Sequence, residues 1–186
     1  FKVLSVIDST LGSNYGGNYQ ASGSNVYLYE ARPDSRMKHT LFWQTKYALE
    51  NGDVIDGSYR FMLDDWGISS HTLDFRYRWQ LGDSYLEPHL RYYMQSEADF
   101  YKRYLTSDEY TVNSLKEASS DERLSDMNAY TVGLKYGYKL SKTKEFNVRA
   151  EYYMQNHSGD NGFGKLAKQD LYPDSNAIIF QVGYSF

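Results

Sequence analysis

The sequence contains no cysteine and only three prolines and four histidines among its 186 residues. The absence of cysteine excludes disulfides and thiolate chemistry. No apolar run approaches the roughly 20 residues that a membrane-spanning helix needs, so a helical membrane protein is excluded. There is no basic tract and the formal net charge is -4, so nucleic acid is not expected as a partner.

Tyrosine is the residue that the sequence has in abundance. Aromatic residues make up 17% of the chain and 20 of them are tyrosines, although the mean hydropathy is negative. Tyrosine is typical of membrane interfaces, where its ring lies in apolar surroundings and its hydroxyl stays in water. The length suits one domain, so on length alone a soluble β-sandwich or lipocalin-like protein stays open.

Within the last ten residues, 177–186, an apolar set alternates from Ile178 onward with a set that is mostly small or polar. Period-two alternation predicts a strand with one apolar face. A chain that ends on such a strand with a terminal Phe resembles an outer-membrane β-barrel, in which the barrel-assembly machinery recognises the terminal aromatic residue. The residues expected to face lipid and to carry this assembly signal are Phe180, Val182, Tyr184 and Phe186.

The same alternation continues through seven segments from Thr40 onward and predicts an all-β chain. We expect a transmembrane antiparallel up-and-down β-barrel, with this chain supplying about seven spanning strands of a larger barrel. Asn51-Gly52 predicts a tight hairpin, and Pro88 predicts an edge, a bulge or a local gap in the ladder. Residues 97–126 are expected to form a long, acidic external loop. The sequence Tyr-Tyr-Met-Gln occurs twice, at residues 92–95 and 152–155, and is expected to contribute to an outer aromatic girdle.

Connection lengths predict an orientation and a division of the chain. Short turns belong on the periplasmic side of such barrels and long loops outside, and the predicted connections sort in this way. Seven is an odd number, whereas single-chain barrels have even numbers of strands. The chain is therefore expected to be the C-terminal part of a longer barrel, with residues 1–36 as an external loop region and residues 37–186 as barrel strands. Alternatively, residues 3–7 or 26–30 supply an eighth strand.

The predicted wet face of the strands is basic. It carries eight cations against four acids, whereas the whole chain is acidic. This pattern predicts a pore that favours anions; the alternative is that the charges pair across strands and fill a closed interior. The lumen-facing set is Lys46, Arg60, Arg76, Arg78, Arg91, Lys135, Lys139, Arg149, Asp56, Asp74, Glu87 and Glu151.

No combination of residues predicts catalysis. A nucleophile, a base and an orienting group do not occur together, so we expect no enzyme, no cofactor and no metal. Asp64 and Asp65 with His71 are the one dense group of potential cation ligands, and a solvated turn explains them better. Asp160-Asn161-Gly162 is a calcium-like fragment that lacks the rest of a loop.

Several stretches of the sequence resemble a bacterial outer-membrane family that is catalogued only as a domain of unknown function. The resemblance implies a full-length protein about twice this size, encoded beside a small lipoprotein and flavin-transfer or thioredoxin-like proteins. Its expected partners are outer-membrane lipid, the barrel-assembly machinery and that lipoprotein. The stretches are R-P-D-S-R-M-K-H at 32–39, Y-R-F-M-L-D-D-W-G-I at 59–68, S-H-T-L-D at 70–74, Y-L-E-P-H-L-R-Y-Y at 85–93, D-F-Y at 99–101, G-L-K-Y-G at 133–137 and G-Y-S-F at 183–186.

Two functions follow from the sequence as expectations. The first is a porin-like channel with a basic lumen in the outer membrane of a Gram-negative bacterium. The alternative is a plugged barrel that acts as a scaffold for a lipoprotein or for a redox or export partner.

Overall fold

The computed structural model describes residues 30–103, 117–158 and 174–186, and the backbone alone of residues 6–7, 20–21, 24–25 and 105–106. Seven long strands form one antiparallel sheet, in which every strand pairs with its neighbours in the chain. The strands are β1 (Lys38–Ala48), β2 (Val54–Asp64), β3 (Ser69–Leu81), β4 (Ser84–Gln95), β5 (Met127–Lys139), β6 (Glu145–His157) and β7 (Ser175–Ser185).

The sheet is open. In the described part of the chain, β1 pairs only with β2 and β7 pairs only with β6, so both outer strands have an unpaired edge. The prediction of an all-β chain with seven antiparallel strands is confirmed. The two-residue strand Val6–Ile7 pairs in parallel with Leu105–Thr106 and lies outside this sheet, so it does not supply an eighth strand. Residues 26–29, the core of the other candidate for that strand, lie outside the described residues.

Short turns join the strands at one end of the sheet, which we call the turn end. Gly82, with φ 65°, closes the tight connection between β3 and β4. The connection between β1 and β2 is longer than the expected tight hairpin. Its backbone closes through a hydrogen bond from Leu49 N to Asp53 O of 2.8 Å, and Gly52 takes φ 89°. Glycine adopts this left-handed backbone without steric cost.

Pro88 lies in β4, which is a central strand and not an edge. The ladder between β3 and β4 pairs Arg76 with His89 and then resumes at Trp79 with Leu86. The gap between these pairs is where Pro88 would have to donate a hydrogen bond, and proline has no N–H. The predicted local gap is therefore confirmed.

The longer connections pack together at the opposite end of the sheet into what we call the cap, formed by residues 30–37, 64–68, 96–103 and 117–126. A small buried core of apolar side chains holds the cap together, with Met62 and Trp66 against it. A single 3-10 turn, Glu122–Leu124, lies within it. Part of the segment expected to be only an acidic loop is thus a packed substructure. The core residues are Ile68, Ala98, Phe100, Tyr101 and Leu124.

Candidate functional site

The strand register sorts the side chains of the sheet onto two faces. Successive residues of a strand point to opposite sides, and cross-strand partners share a side. Lys46 pairs with Asp56, and Asp56 with Arg76. Arg76 pairs in turn with His89. By this alternation all twelve charged residues expected from the sequence lie on one face, which we call the polar face.

The opposite face, the apolar face, is almost entirely hydrophobic and exposed. Phe180 is 74% exposed, and it shares a row with Ala150 and Leu134. Val182 and Tyr184 lie on the same face, and the ring of Tyr184 stacks on that of Phe186 at 6.2 Å. The four residues expected to face lipid are therefore together on the apolar face.

His89 lies at the centre of the polar face between two carboxylates. Its Nδ1 is 2.8 Å from Glu151 Oε1 and its Nε2 is 3.0 Å from Asp74 Oδ2. The residue is only 7% exposed. His89 on β4 thus bridges a carboxylate of β3 and a carboxylate of β6.

Two arginines extend this arrangement. Arg76 lies 3.3 Å from Asp74, and Arg149 lies 3.8 Å from Glu151. The resulting network of acidic and basic side chains runs from β3 through β4 to β6. The sequence left open the alternative that acids and bases pair across strands and fill a closed interior. Acids and bases do pair within this part of the polar face.

Tyr85 forms a second group of contacts near the turn end. Its buried ring lies over Gly137, where an added Cβ would collide with it. Its hydroxyl donates to Glu145 at 2.5 Å, and the guanidinium of Arg78 lies 4.1 Å from the ring centroid. A glycine in a strand often marks such a close approach. Gly137 is thus required for Tyr85 to lie flat on the polar face.

Some of the predicted cations have no acidic partner within the described part of the chain. Arg78 pairs with Glu87 at 2.8 Å, and the Lys135 ammonium lies over the Tyr85 ring at 5.3 Å. Lys46, Arg60, Arg91 and Lys139 form no ion pair with any described residue. Together with Lys135, these four residues carry the positive charge of the polar face that no ion pair with a described residue neutralises.

Recesses on the polar face lie between these side chains. One of about 410 Å³ and another of about 280 Å³ share Arg60 and Arg91. A smaller recess of about 190 Å³ lies nearer the turn end. The first, of 410 Å³, is lined by Arg60, Arg91, Tyr93, Met127, Ala129, Thr131 and Tyr153; the second, of 280 Å³, by Phe42, Ser58, Arg60, Thr72, Asp74 and Arg91; the third, of 190 Å³, by Lys46, Val54, Asp56, Arg76, Arg78, Glu87, Lys135 and Arg149.

Thr72, on the floor of the second recess, is buried and its hydroxyl has no hydrogen-bond partner among the described residues. Its neighbours in the register are Arg60 on β2 and Tyr93 on β4. Buried hydroxyls are usually hydrogen-bonded, so an unpartnered one marks a place where a polar group fits.

The dense group that the sequence offered as a potential cation site is not brought together. Asp64 pairs with Arg36 and accepts hydrogen bonds from the backbone N–H groups of Trp66 and Ile68. His71 lies on the apolar face, 2.7 Å from the hydroxyl of Tyr59. No group of three or more potential metal ligands occurs among the described residues. Residues 160–162 lie outside them.

At the turn end, Asp53 anchors the connection between β1 and β2 to β3. The Tyr77 hydroxyl donates to Asp53 at 2.5 Å and the backbone N–H of Gln80 donates at 2.7 Å. These hydrogen bonds stabilise the carboxylate and lower the pKa of Asp53 below its ordinary value. The sequence signal at this position was the Asn51-Gly52 pair, which did not reveal the role of Asp53.

In the cap, the buried carboxylate of Asp121 is the centre of an ionic group. Arg32 lies 2.9 Å from it and Arg123 lies 2.6 Å from it. Burial opposes the charge of Arg32, but hydrogen bonds to Glu30 and Asp121 outweigh burial and raise the pKa of Arg32. This group attaches the segment before β1 to the connection between β4 and β5.

These features define a class: an all-β protein built on one open antiparallel sheet, with an apolar face and a charged face. Among the residues that the structure describes, no helix has the length and hydropathy to span a lipid bilayer. The chain belongs to the family described as Protein of unknown function (DUF3570), which it matches over residues 1–186. This match confirms the resemblance to a family catalogued only as a domain of unknown function. Comparisons with curated proteins and with solved structures gave no match.

Proposed function

We propose that the seven-stranded sheet is a section of the wall of a transmembrane β-barrel in the outer membrane of a Gram-negative bacterium. In this proposal the apolar face meets lipid, the polar face lines the lumen, and the barrel is a pore that favours anions. The segregation of the two faces across all seven strands carries the proposal. A sheet with one exposed apolar face and a charged opposite face is the arrangement that lipid outside and water inside require.

The dimensions of the apolar face support this arrangement. Leu73 and Leu81, at its two ends on β3, are about 27 Å apart at the rise of an extended strand. A lipid-facing band is about 25 Å tall and is bordered by aromatic girdles. One aromatic row toward the cap comprises Trp43, Tyr59, Tyr92 and Tyr130, and one at the turn end comprises Tyr138, Phe146 and Tyr184.

The unpaired edges of β1 and β7 also bear on the proposal. In hydrocarbon each unpaired backbone N–H or C=O costs several kcal/mol, so a sheet spans lipid only when its edges are closed. We infer that further strands, from the same polypeptide or from another copy, pair with β1 and β7. The short turns would then be periplasmic and the cap external.

The charge of the polar face supports a preference for anions. Glu145, which accepts from Tyr85, joins the four predicted acids, and eight cations against five acids leave a surplus of three positive charges. A basic lining raises the local concentration of anions and excludes cations. The cations that form no ion pair with a described residue, such as Lys46, contribute most to this field.

Conductance tests the proposal. The full-length protein, purified in detergent and inserted into planar bilayers under a KCl gradient, is expected to give an ion current whose reversal potential favours chloride. Lys46→Glu is expected to reduce that preference, whereas Lys142→Glu, the same charge change in the exposed turn after β5, is expected to change it little. A current that favours cations would contradict the anion preference.

A second candidate function is the plugged barrel that acts as a scaffold for a lipoprotein or for a redox or export partner. The ion pairs Arg76–Asp74 and Arg149–Glu151 on either side of His89 favour it, because paired charges can fill a small barrel. The absence of any current from protein that is folded in the bilayer would support this candidate and exclude the pore.

A further inference from the structure

We propose that the 410 Å³ recess, which we call the arginine recess, binds small organic anions that carry an acidic group on an aromatic or other apolar body. Both Arg60 and Arg91 line it. The inference deepens the proposed function, since it requires the polar face to be reached by solutes from a water-filled lumen. It does not require that the barrel conduct ions.

The charge of the lining separates this recess from its neighbours. Asp56 and Glu87 lie beside the cations that line the third recess, and Asp74 lines the second recess. Among the residues that the structure describes, no acidic side chain lines the arginine recess. Arg60 and Arg91 form no ion pair with any described residue, so neither guanidinium has to leave a carboxylate to bind an anion. Guanidinium groups bind carboxylates and phosphates through paired hydrogen bonds.

The remaining walls are suited to an apolar body. Tyr93 and Tyr153 come from the two copies of the Tyr-Tyr-Met-Gln sequence, and each hydroxyl donates to the glutamine two residues later, at 2.6 Å and 2.7 Å. These bonds hold the tyrosine side chains against their own strands. The repeated sequence therefore supplies two fixed aromatic walls, and Met127 and Ala129 complete the apolar lining.

A third observation points to an oxygen ligand beside the two arginines. The unpartnered hydroxyl of Thr72 lies in the second recess, which shares Arg60 and Arg91 with the arginine recess. An oxyanion bound by Arg60 and Arg91 has oxygens toward both recesses that the two arginines share. One of these oxygens can accept a hydrogen bond from the Thr72 hydroxyl, which has no partner among the described residues. The volume of the arginine recess lies in the range of small-molecule sites, about 300–1,000 Å³.

Calorimetric titration of the full-length protein in detergent with phenyl phosphate tests the proposal. We expect saturable binding, with inorganic phosphate and benzyl alcohol each binding at least about tenfold more weakly, because each lacks one half of the recognised chemistry. Arg60→Gln and Arg91→Gln are each expected to weaken phenyl phosphate binding about tenfold or more. Lys139→Gln is the matched control, since it removes a cation of the polar face outside the recess, and it is expected to change the affinity less than about twofold.

The outcomes distinguish the recess from the pore. Binding with the expected variant pattern supports the recess even if no current is measured. Ion current without saturable binding of phenyl phosphate overturns the recess and leaves the pore intact. Equal weakening by Arg60→Gln and Lys139→Gln, in variants that melt at the same temperature, would mean that only overall charge matters and would overturn the site. Equal affinity for inorganic and phenyl phosphate would overturn the assignment of an organic ligand.

Discussion

The cap and the sheet follow opposite rules of burial within one chain. In the cap, apolar side chains are inside: Ile68 is 2% exposed and Leu124 is 4% exposed. In the sheet, Leu41 is 67% exposed, whereas Glu87 is 8% exposed. Burial of apolar surface explains both arrangements only if the apolar face of the sheet lies against an apolar environment. In the proposed membrane barrel this difference corresponds to water around the cap and lipid against the apolar face of the sheet.

The largest expected effect is the loss of the cap core. Phe100 is buried and its ring meets that of Trp66 edge-on at 5.1 Å. Phe100→Ala is expected to destabilise the cap by about 3–5 kcal/mol, because it leaves a cavity in a small core. The amides of Ala98 and Asp99, which donate to Leu124 and Trp66, should then exchange with solvent about 100-fold faster or more.

The control for this prediction is Phe75→Ala, which removes the same ring from the apolar face of β3. We expect that it leaves exchange at the Ala98 and Asp99 amides unchanged. If the two variants accelerate cap exchange equally, the cap and the sheet are not separate units and the comparison fails.

A smaller effect is expected from a charge on the apolar face. Leu134 lies midway along that face, and Leu134→Arg is expected to cost about 2–4 kcal/mol in folding free energy, as for arginine at a bilayer midplane. Leu140→Arg makes the same change just after β5, in the turn, where about 0–1 kcal/mol is expected. Denaturant titration in lipid vesicles measures both. Equal costs at the two positions would mean that the apolar face does not lie in hydrocarbon.

The smallest effect concerns pH and the turn end. The pKa of Asp53 is lowered in the folded protein, so its contribution to stability is complete above the ordinary pKa of about 4 and is lost as pH falls through the lowered value. Asp53→Asn should therefore reduce the acid sensitivity of the unfolding midpoint, measured between about pH 6 and pH 2. Asp83→Asn in the next turn, whose carboxylate makes no hydrogen bond with a described residue, should leave that sensitivity unchanged.

Much of the sheet could be predicted from the sequence because its rules are local. Alternation from Leu73 to Leu81 fixes two faces without knowledge of any partner strand, and Gly82 identifies a tight turn by its backbone freedom. The same alternation brought all twelve charged positions onto one face. Whether that face lines a lumen stays a prediction.

The contacts that decide the chemistry of the site depend on register between distant segments. His89 meets Glu151 only because β4 and β6 flank the same strand, and Tyr85 lies flat only because Gly137 is its cross-strand neighbour. The cap core has no periodic signal either, since Ala98, Phe100 and Leu124 come from an irregular segment rich in charge. Their apolar character was the one available clue.

The hydrogen bonds of the cap also bear on how the chain folds. Most paired strands of the sheet are joined by short connections. The exceptions are β4 with β5 and β6 with β7, and residues 96–126 separate β4 from β5. Closing a longer loop costs more chain entropy. Ala98 donates to Leu124, and Ser119 donates to Phe100, so the cap ties the two ends of this connection together close to the strands. By fixing those ends, the cap shortens the effective loop between β4 and β5. The entropy cost of pairing the two strands then approaches that of a hairpin.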